Sequence, residues 1–266
     1  CIMLPPEGDA AKVPFVIYNA AGVAANILLT AAAVPYFFIH SADSGMFAFL
    51  LALFIVIAGL WTAIINGIPM KINGMYNDAG NIRLMLRDMQ VRRHFVLQLR
   101  AHALCQNGMR PKDFPQEWFN IPDSGEGYGL INVVTDMFAV AREIDRADYS
   151  RAHTMLTAIR DRRPTLPDIY EKEIDCELAF TSLMLGYEDE ARALLTPDLT
   201  AYIRRTASYS SSKPRLLCAI ALHLEHDSQK AATILHDTET HRDRYIMRGE
   251  AEADICAMRR MFVTTT

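Results

Sequence analysis

Two long runs without a charged residue dominate the first quarter of this 266-residue chain. They are Val13–Ile39 and Met46–Met70, and neither includes Asp, Glu, Lys or Arg. A helix needs about 20 apolar residues to cross a bilayer, and both runs are longer than that. The runs therefore predict two transmembrane helices. The alternative, two core helices of a soluble protein, rarely gives uncharged runs of this length.

The rest of the chain, from Lys71 onward, is mixed in charge and has no comparable apolar run. Apolar residues recur with a helical period over 82–104, which predicts a helix. The stretch 111–129 is rich in Pro, Gly and Asp and predicts a long loop, which Trp118 and Phe119 would anchor to the domain. The predicted fold is all-α, with a membrane segment over 1–81, a juxtamembrane helix and loop over 82–129, and a cytoplasmic helical domain over 130–266.

A weak internal repeat runs through the predicted helical domain. The segments Ala152–Leu156, Ala191–Leu195 and Ala231–Leu235 share an Ala-x-x-apolar-Leu pattern, at a spacing of 39 and then of 40. Repeated helix pairs of this length are typical of α-solenoids, and the pattern resembles tetratricopeptide repeats. Such surfaces bind peptides or proteins, so a cytoplasmic protein partner is expected there. An ordinary helical bundle with chance similarity is the alternative.

Charged residues around the two runs predict the orientation of the membrane segment. The turn His40–Gly45 between the runs contains no Lys or Arg, Lys12 precedes the first run, and Lys71 is followed by several arginines. Lys and Arg near the ends of a span favour the cytoplasmic side. We therefore expect a multi-pass protein of the cell membrane, in contact with lipid, with both ends of the chain cytoplasmic.

Composition argues against a nucleic-acid partner and indicates the redox state of the cysteines. The formal net charge is −4, and the sequence shows no basic and aromatic array of the kind that binds nucleic acid. The five cysteines are widely spaced and form no Cys-x-x-Cys pair. Thiols that stay reduced in the cytoplasm are the expected state.

Polar residues interrupt the first apolar run. Gly22 and Asn26 are four residues apart, so they share one face of a helix. Small residues let another backbone approach closely, and an asparagine can then form a hydrogen bond between helices. Ordinary helix packing explains this pattern. A polar group in an active site is the alternative, because polar residues inside a span are costly and are often functional.

The second run ends in the sequence NGIPMKINGMYNDAGN, residues 66–81, which combines four asparagines with three glycines, one proline and the carboxylate of Asp78. Irregular backbone near membrane depth is tolerated only inside protein or beside water. We expect Asn66, Asn73 and Asn77 to satisfy the loosened backbone and to hold Asp78 at a polar cavity. A solvated loop with an idle acid is the alternative.

Three stretches in order resemble the site-2 protease family of intramembrane zinc metallopeptidases. These are Gly22-Val-Ala-Ala-Asn26, Asn66-Gly-Ile-Pro69 and Asn77-Asp78. The resemblance implies cleavage of a peptide or protein substrate near the membrane surface by zinc-activated water. It also implies that Asp78 is a zinc ligand, that Asn26 helps to place the substrate or oxyanion, and that Gly22 allows close approach of another helix.

The sequence departs from the family pattern in two respects. The gap from Asn66 to Asp78 is longer than the usual one, and Ala79 follows Asp78 where the family has Gly. The zinc-binding His-Glu-x-x-His is absent, and in the family it lies upstream. Catalytic zinc needs three protein ligands and an open position, so this chain alone is expected to be inactive. The rival hypothesis is a non-catalytic, membrane-anchored helical scaffold that recruits a cytoplasmic protein.

A histidine pair late in the chain is a second candidate metal site. His223 and His226 are three residues apart and could share a metal ion on one face of a helix. No third ligand stands nearby, and Asp227 and Ser228 mark a helix boundary. We interpret the pair as residues of a helix terminus, where cationic histidine suits the helix dipole.

Overall fold

The computed structural model describes residues 13–39, 45–72, 74–123, 127–162 and 165–264. In these ranges the chain forms twelve α-helices and one hairpin of two-residue strands. The predicted all-α class is therefore confirmed. The helices are α1 (Phe15–Ile39), α2 (Met46–Gly67), α3 (Asp78–Arg87), α4 (Met89–Gln106), α5 (Leu130–Asp145), α6 (Tyr149–Asp161), α7 (Asp168–Met184), α8 (Glu188–Leu194), α9 (Pro197–Thr206), α10 (Ser212–His223), α11 (Ser228–Thr240) and α12 (Arg248–Thr264).

The chain divides into two compact units at Arg92 and Arg93. The N-terminal unit contains α1 and α2, which pack against each other and are each long and apolar enough to span a membrane. Only 17% and 6% of their most apolar windows are buried. A core helix of a soluble protein would bury its large side chains, whereas Phe47, Phe54 and Trp61 are exposed.

A short hairpin follows the second apolar helix, where the sequence predicted an irregular exit. Strand β1 (Lys71–Ile72) pairs with β2 (Met75–Tyr76) in antiparallel register, with Ile72 opposite Met75. Gly74 lies in the turn at a φ of 83°, a left-handed conformation that glycine adopts without steric cost. The glycine-rich exit therefore turns the chain back to the start of α3.

The single helix predicted over 82–104 is wrong, because Asp88 divides this stretch into α3 and α4. Asp88 has an extended backbone, and its Oδ1 accepts hydrogen bonds from the amides of Gln90 at 2.8 Å and Val91 at 3.4 Å. A side chain of this type caps the exposed amides at a helix start. The apolar period continues through the break, which is why periodicity alone does not reveal it.

The C-terminal unit repeats one type of helical turn. α4, α5 and α7 are each followed by a residue of positive φ, which donates its amide to the carbonyl three positions back, while the next residue donates to the carbonyl five positions back. This is the Schellman arrangement, which satisfies the free carbonyls at a helix end. The residues of positive φ are Gly108, Ala147 and Gly186, at intervals of 39.

A fourth turn occupies the equivalent position in the repeat but contains one additional residue. His226, with a φ of 54°, follows Gly186 at an interval of 40. The next amide, of Asp227, donates to the carbonyl of Ala221 at 2.8 Å, six positions back rather than five. The extra residue accounts for the longer interval at this turn.

The helices on either side of these turns bury small residues at equivalent positions. α5 packs with α6, α7 with α8, and α10 with α11. The three alanines found in the sequence repeat, Ala152, Ala191 and Ala231, are fully buried in the second helix of each pair. Their spacing therefore corresponds to a repeat of both the turn and the helix contact.

The loop between α4 and α5 is anchored by aromatic side chains, as the sequence predicted. The ring of Trp118 stacks on Phe114, with 5.6 Å between centroids. Trp118 and Phe119 pack against a buried cluster that includes Cys105 and Phe138. Two short 3₁₀ turns, Pro111–Asp113 and Gln116–Phe119, bring these rings to the cluster.

Candidate functional site

The side chain of Asn77 ties the end of α2 to the start of α3. Its Oδ1 accepts hydrogen bonds from the amides of Met70 at 3.0 Å and Gly80 at 2.9 Å. Its Nδ2 donates to the carbonyls of Ile65 and Ile68. One side chain thus satisfies four backbone groups that the end of one helix and the start of another leave unpaired.

Gly80 completes this clamp because it leaves room for the chain beside it. A Cβ at this position would lie 3.0 Å from the Met70 carbonyl oxygen, 3.0 Å from Asn77 Oδ1 and 3.0 Å from a ring carbon of Tyr76. These contacts are tighter than ordinary van der Waals packing. The Asn-Asp-Ala-Gly sequence therefore fits one conformation, in which Asn77 caps α3 and Asp78 is the first helical residue.

The predicted metal ligand, Asp78, lies half-buried in the first turn of α3. The free amides of a helix N-terminus favour a carboxylate there. Asp78 makes no hydrogen bond or ion pair to another described residue. Among the described residues no group of three or more His, Cys, Asp or Glu could hold a metal ion. Since catalytic zinc needs three protein ligands, these residues do not make a zinc site by themselves.

Of the three asparagines expected to support the exit, Asn77 has the predicted role. The half-buried Asn66 makes no side-chain hydrogen bond within the described chain, and Asn73 lies outside the described residues. Pro69 follows the end of α2, which stops at Gly67. The helix therefore ends where the proline requires it, and one asparagine supports the loosened backbone.

α1 and α2 approach each other closely at Gly59. A Cβ on Gly59 would lie 2.1 Å from Thr30 Oγ1 and 3.3 Å from the carbonyl oxygen of Asn26, so no larger residue fits there. Gly22 is exposed, and a Cβ on it would meet no atom within 4 Å. The half-buried Asn26 makes no side-chain hydrogen bond in the described part of the chain, and none joins it to Asp78.

The histidine pair lies at a helix terminus, as predicted. His223 is half-buried in the last turn of α10, and burial lowers the pKa of its imidazole, so the predicted cationic form is disfavoured at this residue. His226 is exposed in the following turn. Because the described residues supply no third ligand beside them, the pair offers no metal site.

A second site, which the sequence did not indicate, lies in the helical unit. It is a cavity of about 220 Å³ on the face formed by α5, α7, the start of α10 and α12. The wall on α5 is largely apolar, and its members include Val134, Met137 and Ala141. The other wall carries ionisable side chains, and its members are Asp145, Glu173, Glu177, Arg215, Glu250 and Asp254.

A buried ion-pair network forms the charged wall. The Arg215 guanidinium pairs with Asp254 at 2.6 Å and with Glu177, and its carbon lies 4.0 Å from the centroid of the Phe180 ring. Ser211 Oγ donates to the second oxygen of Asp254 at 2.6 Å. Arginine suits this place because its fixed fork can serve two carboxylates and an aromatic face together.

Two further pairs flank the network. Lys213 is fully buried and donates to Glu173 at 2.6 Å, and the Tyr202 hydroxyl donates to the other oxygen of Glu173. The Arg110 guanidinium pairs with Asp145. Charges buried this deeply are stable only when they are paired and hydrogen-bonded.

Unlike the other carboxyl groups of the cavity, that of Glu250 has no cation as a partner within the described chain. It lines the cavity from the first turn of α12, and it forms no hydrogen bond or ion pair with another described residue. Burial, followed by repulsion from Asp254 and Glu177, raises its pKa to about 8. Glu250 is therefore protonated at neutral pH.

No local motif in the sequence could have revealed this cavity. Its ionisable residues are spread from Asp145 to Asp254 and meet only when the helices stack. Comparison with models of known protein families, with curated proteins and with solved structures finds no match for this chain.

Proposed function

We propose that this chain is part of a membrane-embedded zinc metallopeptidase of the site-2 protease type, to which Asp78 contributes one metal ligand. The observation that carries the proposal is the clamp formed by Asn77, which fixes the first turn of α3, where Asp78 lies, to the end of the apolar helix α2. A bare exit loop would not need four backbone groups satisfied by one side chain. The clamp fixes the backbone that carries Asp78, and the oxygens of its carboxylate would then be left to bind a metal ion.

The proposal assigns the remaining ligands and the general base to the family's His-Glu-x-x-His helix, which this sequence does not contain. The exposed face of α1 around Gly22 has room for a further helix to approach. Asn26, on the same face of α1, would then help to place a peptide or protein substrate. No catalytic step is assigned to the described residues alone.

The surface of α1 and α2 supports a location in the cell membrane. Their large apolar side chains are mostly exposed, so lipid is the solvent that makes this arrangement favourable. Lys71 and the arginines that follow it favour the cytoplasmic side for the end of α2. We propose that both ends of the chain are cytoplasmic.

The test compares two aspartates in the full-length protein, purified from membranes. Asp78→Asn keeps the shape of the side chain but removes the negative charge, so zinc content and cleavage of a membrane-protein substrate should both be lost. Asp123→Asn is the matched control, since Asp123 forms only an exposed pair with Arg162. Full zinc content and full cleavage in Asp78→Asn would show that this residue is not a ligand.

The repeated turns favour a second candidate function, a membrane-anchored scaffold whose tetratricopeptide-like helical domain recruits a cytoplasmic protein. The regular interval between the turns and the fully buried alanines support a solenoid. The full coding sequence separates the two candidates. A His-Glu-x-x-His upstream on an apolar helix favours the peptidase, and its absence from the complete gene favours the scaffold.

A further inference from the structure

The cavity of the helical unit is the right size for one small group. Its volume of about 220 Å³ lies below the ~300–1,000 Å³ of pockets that enclose drug-sized ligands. Apolar side chains such as Val134, Met137 and Ala141 form one wall, and carboxyl groups form the other. A group that fits both walls has an apolar stem and a polar or charged tip.

The charges around the cavity leave an excess of acid. Five carboxyl groups line it, three cations pair with four of them, and the fifth, Glu250, holds a proton in the free protein. The carboxyl groups are those of Asp145, Glu173, Glu177, Glu250 and Asp254, and the cations are Arg110, Lys213 and Arg215. A ligand with a positive charge would correct this imbalance, and an anion would add to the repulsion.

Two of these carboxyl groups retain capacity to accept hydrogen bonds. Glu177 is 9% exposed, and its Oε2 pairs with Arg215, while its Oε1 accepts no hydrogen bond within the described chain. The carboxyl group of Glu250 likewise has no partner among the described residues. These oxygens are not among the fully buried polar atoms without a partner, so they are open to the cavity. Both side chains line the cavity, so a donor placed there could serve both.

We propose that this cavity binds a primary alkylammonium group, the tip of a lysine side chain, with its stem along the apolar wall and its ammonium at Glu177 and Glu250. An ammonium supplies three donors in a compact group and suits two acceptors that lie in different helices, α7 and α12. The proposal concerns the helical unit alone and does not depend on Asp78.

Binding should release a proton at neutral pH, and this gives the proposal a specific signature. Glu250 faces Asp254, Glu177 and Glu173, which favour its neutral form, and Arg215, which favours its ionised form. The pKa of about 8 means that the free protein holds a proton there. An ammonium bound beside it favours the carboxylate, so the proton leaves as the ligand enters.

Isothermal titration of the full chain in detergent micelles tests the proposal. The probes are n-butylammonium chloride and 1-butanol, which has nearly the same shape without the charge. We expect saturable binding of n-butylammonium, at least about tenfold tighter than that of 1-butanol, because a charged hydrogen bond is lost with the alcohol. The heat should depend on the ionisation enthalpy of the buffer, as proton release requires.

Two variants of α12 locate the site. Glu250→Gln removes the charge and should weaken n-butylammonium binding at least about tenfold. Glu252→Gln, two residues along the same helix and outside the cavity lining, should leave it unchanged. Ala141→Leu fills the apolar wall and should also abolish binding, so the site can be tested even if Glu250→Gln does not fold.

A third probe distinguishes the source of the ammonium. If acetyl-Gly-Lys-Gly-amide, whose only amine is the lysine side chain, binds at least as tightly as n-butylammonium, the partner is a protein. Binding of n-butylammonium without the peptide indicates a free amine. The proposal is overturned if neither probe binds, if 1-butanol binds equally well, or if Glu250→Gln binds n-butylammonium as the unaltered chain does.

Discussion

The two units of the molecule distribute their side chains in opposite ways. In the N-terminal unit, large apolar residues such as Phe47, Phe54 and Trp61 face outward, with exposed fractions of 81%, 69% and 65%. In the helical unit, charged residues such as Lys213 and Arg215 face inward, with exposed fractions of 0% and 5%. The first arrangement is favourable in lipid, and the second is favourable only when every buried charge is paired.

The two units also differ in the kinds of residue that they bury. In the apolar helix α2, the buried residues are small, Ala52 and Gly59, because close backbone contact holds α1 and α2 together. In the helical unit, large apolar side chains fill the core, and ion pairs fix the helices that surround the cavity. Substitutions of the same chemical kind should therefore have different effects in the two units.

The largest effect should come from breaking the buried ion-pair network. Arg215→Met leaves Glu177 and Asp254 buried without their cation, which should cost about 3–5 kcal/mol of unfolding free energy. Chemical denaturation followed by circular dichroism measures this cost. Arg192→Met is the control, since Arg192 forms an exposed pair with Glu188 and should change stability by less than about 1 kcal/mol. Equal stabilities for the two variants would show that the buried ion pairs do not stabilise the helical unit.

The next effect tests whether the outward apolar residues face lipid. Phe54→Asp near the middle of α2 should raise the free energy of membrane insertion by about 2.5–3.5 kcal/mol. Ile169→Asp is the matched control, because Ile169 is also exposed but lies in the helical unit. It should change stability by no more than about 0.5 kcal/mol. A glycosylation-based assay measures membrane insertion of Phe54→Asp, and thermal unfolding measures the stability of Ile169→Asp. Normal insertion of the Phe54 variant would contradict the membrane assignment.

The clamp after α2 should show a smaller effect. Asn77→Ala removes a helix cap and the donor to two carbonyls, at a cost of about 2 kcal/mol. Hydrogen exchange of the Gly80 and Met70 amides should accelerate, since Asn77 is their acceptor. Asn66→Ala, which removes no hydrogen bond of the described chain, should leave these amides as protected as before. Unchanged protection in Asn77→Ala would show that the clamp does not hold the exit.

The last effect, which is measured as a slope, is a dependence of stability on pH. The pKa of Glu250 is raised from 4.5 to about 8, so the folded state binds a proton that the unfolded state releases across this range. Stability should therefore fall as pH rises from about 4.5 to 8, by at most about 1.4 kcal/mol per pH unit, and then level off. Denaturation at several pH values measures this slope. Glu250→Gln should flatten it, and Glu252→Gln should retain it.

Several features of the fold could be predicted from the sequence because their signals are local or periodic. The two uncharged runs predicted α1 and α2, and the nearly constant spacing of the three alanines matched the repeated turns. The break at Asp88 was missed, although an aspartate before a helix start is a recognisable cap. Periodicity had greater weight than that single residue, and the prediction was wrong for this reason.

The positions of apolar helices, turns and caps can be inferred from the sequence, since each depends on residues within a few positions of one another. The folded structure was needed to show that Gly59 packs closely against α1, and that residues from Asp145 to Asp254 surround one cavity. Contacts of this kind depend on how helices pack together, and sequences with the same apolar periodicity can pack their helices differently. The free energy that selects among these arrangements comes from packing and paired charges between distant segments, which no local pattern records.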